Sequence, residues 1–270
     1  MIPAFGPETA LLLIDVQKGV HVLDHWGGPT GRMNNPGCQD RLIALCGAFR
    51  RADRRVAFTR HDSIEPDSPL KFSLPTGDQL DGLEVAPGDI VVEKSVNSGL
   101  LGTPLEIELR RAGLTRLVVA GYFTNFCVET TVRMAGNLGF DVYLAHDACA
   151  TCNRVDRNGV DHDPELVHDL SVANMHGEFC TALSTDQLLG LLEADAPGLI
   201  RAQGNEAASA KPEQRVARRA GTGSRQHGHR HQSRQSPSLS ENRELHDCSP
   251  SPGYEPILGR NAADPPVRVS

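Results

Sequence analysis

Three residues able to do chemistry together fall at matching places in this chain: Asp15, Lys94 and Cys127. Cys127 lies between Leu117-Val118-Val119-Ala120, an apolar run that reads as a buried strand, and Val128 to Leu138, which reads as a helix. A thiol on the first turn of a helix meets free backbone N–H groups and the positive end of the helix dipole, which favour a thiolate. Asp15 ends the apolar run Ala10 to Ile14, and Lys94 ends Ile90 to Glu93. Taken singly, each has a plain structural reading: a small hydrophobe, a turn residue, a solvated charge. Taken together they put a thiol, a carboxyl and an ammonium at the carboxyl ends of strands, where open α/β sheets carry their sites. That set suits attack of sulfur on a carbonyl, with Asp15 moving the proton and Lys94 holding the anionic pair.

The elements that position these residues alternate. Strands are expected at 9–15, 55–59, 90–94, 116–121, 141–145 and 179–183, with helices near 38–53, 104–112, 128–138, 164–176 and 185–193. The strands are short, apolar on both faces and joined by helical crossovers, which means a parallel sheet covered on both sides. Right-handed crossovers make a doubly wound α/β sandwich the economical topology. A long polar, proline-bearing loop runs from Arg60 to Gly88, and loops of that length in a compact domain are often functional.

Composition divides the chain near residue 200. Residues 1–198 are expected to form the folded domain, and 199–270 a disordered low-complexity tail. Beyond Arg201 the sequence is rich in Arg, Ser, Gln, His, Pro and Gly, with too little apolar surface to offset its chain entropy. From Arg201 onward there are 11 Lys+Arg against 7 Asp+Glu; the first 200 residues hold 16 against 27. An acidic body argues against nucleic acid as partner. No run approaches the roughly 18 apolar residues of a membrane span. There is no basic N-terminal region, and the first apolar run stops at Asp15, so no signal peptide and a cytoplasmic location are expected. The 7 scattered cysteines then read as reduced thiols, Cys149 and Cys152 included.

Ile14-Asp15-Val16-Gln17, Lys94 followed by Asn97-Ser98, and Gly121 to Glu129 around Cys127 resemble the isochorismatase-like cysteine hydrolases over about residues 9–193. The resemblance implies a six-stranded parallel sheet in the order 3-2-1-4-5-6 and an Asp15–Lys94–Cys127 triad. It also implies a cis peptide at Tyr122-Phe123, oxyanion donors at the backbone N–H groups of Cys127 and Phe123, and a homo-oligomer. The activity implied is hydrolysis of a C–N bond in a small amide, ureide or lactam, without a cofactor. A vinyl-ether hydrolase of isochorismatase type and a non-catalytic small-ligand binder are the alternatives. Nicotinamidases resemble one another in an Asp-x-His metal motif after strand two; here that place reads His61-Asp62-Ser63, so no metal site is expected. Trp26, His61, Asn97 and Phe126 are candidate substrate-binding residues. For Trp26 and His61, packing within a loop is an equal reading.

Overall fold

The computed structural model describes residues 2–27 and 30–194. The tail expected from residue 199, and the boundary before it, lie outside the described residues. Six parallel strands form one sheet: β1 (Thr9–Ile14), β2 (Val56–His61), β3 (Ile90–Lys94), β4 (Arg116–Tyr122), β5 (Asp141–Ala150) and β8 (Thr181–Leu183). Their order is β3-β2-β1-β4-β5-β8, the doubly wound order expected, with the eighth strand of the chain as the sixth of the sheet. The offset comes from a small antiparallel ribbon, β6 (Arg154–Val155) and β7 (Asp161–His162). Strands of two residues carry no alternation for a sequence reading to detect.

Among the described residues five helices lie between strands, α1 (Leu23–Trp26), α2 (Cys38–Arg51), α3 (Leu105–Arg111), α4 (Glu129–Asn137) and α5 (Pro164–Met175), and α6 (Thr185–Glu193) follows β8. β1 is buried along its whole length between β2 and β4. Leu11, Leu12, Leu13 and Ile14 have no solvent exposure. Each such side chain contributes about 1.5–3 kcal/mol by leaving water, which fixes β1 at the centre of the sheet. α6 opens on a capping box: the Ser184 hydroxyl accepts from the Gln187 N–H, and the Gln187 side chain accepts from the Ser184 N–H.

Two boundaries differ from the sequence reading in ways that matter for the site. β2 does not stop at Thr59; Arg60 and His61 continue its ladder against Glu93 and Lys94 of β3. Polar side chains at the site end of a strand mimic a loop in sequence, although their backbone still pairs. Cys127 does not sit on the first turn of an ordinary α-helix. Thr124–Val128 forms one wide π-helical turn, and α4 begins after it. Gly121, with φ +131°, makes the approach to β1 possible: a Cβ there would lie 2.2 Å from the Ile14 carbonyl oxygen.

Candidate active site

The sheet order reverses between β1 and β4, and the crevice at that point receives the ends of the strands. Asp15 follows β1 with φ +50°, a conformation Asp tolerates better than most residues. Its backbone turns there, and its side chain is caught from two sides. The Thr59 hydroxyl donates to Oδ1 at 2.6 Å, and the Lys94 ammonium donates to Oδ2 at 2.6 Å. Lys94 lies two strands away from β1 and reaches across β2 to do this. Its side chain has 0% exposure and that of Asp15 2%, so this is a buried ion pair rather than a surface one.

Cys127 completes the set. Its sulfur lies 3.4 Å from Lys94 Nζ and 3.9 Å from Asn97 Oδ1. The sequence reading put a thiolate here on the strength of a helix N-terminus. Burial, first, and then the negative charge of Asp15 push the Cys127 thiol above its ordinary value, against the pull of Lys94.

His61 is fixed by its backbone. The Gln17 side-chain amide accepts from the His61 N–H at 2.7 Å and donates to the His61 carbonyl at 3.0 Å and to the Gly77 carbonyl at 3.1 Å. Gln17 thus ties the end of β1 both to the end of β2 and to the long loop that follows. The His61 ring places Nδ1 2.8 Å from Lys94 Nζ. Burial and the neighbouring Lys94 charge lower the His61 pKa. His168 of α5 is also lowered by burial; its Nδ1 lies 2.9 Å from the hydroxyl of Thr124, which opens the π-turn.

These two histidines set an expectation for stability. Below the ordinary histidine value near 6.5 the unfolded chain takes up protons that folded His61 and His168 refuse. The unfolded state therefore binds more protons, and stability falls as the pH drops through that value. Melting temperatures measured from pH 7.5 down to about 5.5 should decline, and His168→Gln should shallow the decline. A melting temperature independent of pH across this window would contradict the assignment.

Cys127, Asp15 and His61 open into a cavity of about 450 Å³. Trp26, Phe123 and Phe126 form its aromatic wall, and Asn97, Ser63 and Leu70 also line it. The Trp26 ring lies 4.9 Å from that of Phe123, while its indole N–H donates to the Gly19 carbonyl at 2.7 Å, so Trp26 both packs its loop and faces the cavity. The Tyr122–Phe123 peptide is cis. Tyr122 is buried at 1% exposure and packs edge-on against Phe123 and His21.

Several residues of the site carried no signal of their own in the sequence. Gln17 lies inside the Ile14-Asp15-Val16-Gln17 motif, which assigns it no role. Thr59 read as an ordinary strand residue. Arg154, on the ribbon strand β6, lines the same cavity with its guanidinium 4.8 Å from the Phe126 ring centroid, and it has no ion-pair partner among the described residues. Its position could not be inferred without the ribbon.

Among the described residues, one trio of metal-binding types converges: the donor atoms of Asp15, His61 and Cys127 lie within 4.8 Å of one another. The Lys94 ammonium already touches all three, and a cation held there leaves no room for a second. Asp62, in the place of a nicotinamidase-like metal motif, instead accepts from the Phe72 N–H at 3.0 Å. As arranged around the ammonium, the Asp15, His61 and Cys127 trio does not fit a metal. The described cysteines, Cys38, Cys46, Cys127, Cys149, Cys152 and Cys180, are free and buried. No helix among the described residues is long and apolar enough to cross a membrane.

A doubly wound sheet with a cysteine, a carboxylate and a lysine at its switch point defines a class, and comparison places the chain within it. The Isochorismatase domain family model matches residues 9–187, and the chain belongs to the isochorismatase family of hydrolases. It is 36% identical over 185 residues to the isochorismatase family protein YrdC of Bacillus subtilis, covering 67% of this chain and 95% of that one. It is 30% identical over 193 residues to Nicotinamidase 3 of Arabidopsis thaliana, covering 67% and 86%. A solved isochorismatase-family structure from Chromobacterium violaceum superposes with a TM-score of 0.65 at 38% identity, covering 70% and 96%. Further relatives are a ureidoacrylate amidohydrolase of Agrobacterium fabrum and the streptothricin hydrolase of Streptomyces noursei.

Proposed function

We propose that this chain cleaves a C–N bond of a small amide, ureide or lactam through a thioester on Cys127. The observation that carries this reading is the convergence of the Cys127 sulfur, the Asp15 carboxylate and the Lys94 ammonium at one cavity. Asp15 takes the thiol proton as sulfur attacks the substrate carbonyl. The C–N bond breaks, and the leaving nitrogen departs with the proton returned by Asp15. Water then attacks the thioester, giving a proton to Asp15; sulfur leaves and recovers it. Lys94 keeps the anionic pair in place at every stage, in a site dry enough for its charge to count. The backbone N–H groups of Phe123 and Cys127 are the oxyanion donors in this scheme. The names of the nicotinamidase and the ureidoacrylate amidohydrolase among the relatives agree with amide chemistry.

Arg154 narrows the substrate. A guanidinium held on an aromatic face, with no acid paired to it among the described residues, suits a planar carboxylate. The test is ammonia release from a panel of primary amides and ureides, each with and without a carboxylate. Carboxylate-bearing members should be turned over about tenfold or more faster, an effect Arg154→Gln should erase. Intact mass should show an acyl adduct on Cys127 during turnover. A panel with no turnover and no adduct would overturn the proposal.

A further inference from the structure

The Lys94 ammonium has more acceptors than protons. Asp15 Oδ2 stands at 2.6 Å, His61 Nδ1 at 2.8 Å, the Val96 carbonyl at 3.1 Å and Cys127 Sγ at 3.4 Å. An ammonium carries three N–H bonds, so four acceptors cannot all be served at once. Asp15 is charged and the closest, and the Val96 carbonyl belongs to the backbone and cannot turn away. The remaining proton is contested between His61 and Cys127. A thiol sulfur accepts weakly and a neutral imidazole nitrogen well, whereas a thiolate is a charged and much stronger acceptor.

We propose that His61 is a positioning residue that holds the third proton of Lys94 away from Cys127, so that the sulfur gains this hydrogen bond only when the imidazole yields it. The inference rests on the reading of Cys127 as the nucleophile. Two features of the fold support it. His61 and Lys94 are register partners on adjacent parallel strands, which points their side chains to the same side. The Gln17 amide locks both backbone groups of His61, so the ring is held at the ammonium rather than left to drift. With Nδ1 accepting, the ring proton resides on Nε2, which has no hydrogen-bond partner among the described residues. The charged groups facing His61 are Lys94 from β3, Asp15 just after β1, and Asp62 and Glu65 from the loop after β2.

Alkylation of Cys127 by iodoacetamide in the full chain, followed by mass spectrometry between about pH 7 and pH 9, reads the sulfur directly, because below its midpoint the rate follows the thiolate fraction. His61→Leu removes the competing acceptor and should displace the rate profile about one pH unit toward acid, an approximately tenfold faster reaction at a given pH. His61→Asn restores an acceptor near the Nδ1 position and should stay close to the wild-type profile. His61→Gln serves as the acceptor-bearing variant if the Asn variant does not fold, as judged by circular dichroism. A His61→Leu profile that is unchanged or displaced toward base would overturn the proposal, and so would an acceptor-bearing variant that moves with Leu. Since alkylation needs no substrate, this outcome is independent of whether any amide is hydrolysed.

Discussion

Cys127→Ser is expected to lower turnover of any amide substrate by about 10³-fold or more while leaving the fold and ligand binding intact. The reasoning starts from acidity. Burial and Asp15 already hold the Cys127 thiol above its ordinary value, against the pull of Lys94. A serine hydroxyl is a far weaker acid, and Asp15 cannot draw its proton at the same geometry. The fold should tolerate the change, because oxygen is smaller than sulfur and the hydroxyl finds Lys94 and Asp15 as partners. Its melting temperature should stay within a few degrees of wild type, and a slowly hydrolysed substrate should still bind. Substantial residual turnover would remove the covalent route and favour the vinyl-ether chemistry that needs no thiol.

Lys94→Met should both inactivate the protein and destabilise it by about 3–5 kcal/mol. The methionine keeps most of the apolar stem but deletes the ammonium. Asp15 is then left as a buried carboxylate with only the Thr59 hydroxyl, Oδ2 having lost its partner at 2.6 Å. The size of the penalty follows from burial: a surface pair of this kind would be worth well under about 1 kcal/mol, whereas here both side chains are sealed. Adding Asp15→Asn should recover much of the lost stability, because the uncompensated charge disappears, yet turnover should stay lost. Urea unfolding of the two single variants and the double variant measures this coupling. If Lys94→Met unfolds at the wild-type midpoint, the buried pair does not sustain a charge on Asp15, and its role as proton carrier fails with it.

The sequence by itself determined what short-range rules govern. Apolar runs at Ala10 to Ile14 and Leu117 to Ala120, short and bounded by polar residues or glycine, read as buried strands. Helical crossovers between such strands force them parallel, and parallel sheets gather functional residues at strand ends. Asp15, Lys94 and Cys127 were legible for that reason, and the family motifs around them supplied the strand order. Tertiary structure decided everything that depends on which neighbour a side chain meets. Arg60 and His61 look like loop residues until β3 pairs with them. The wide turn at Thr124–Val128 places Cys127, yet nothing in its composition distinguishes it from a first α-helical turn. Gln17 acts through carbonyls 44 and 60 residues away. Arg154 reaches the cavity only because a ribbon without periodicity folds over Phe126. The helix end favours a thiolate at Cys127, while burial, which sequence does not show, works against it.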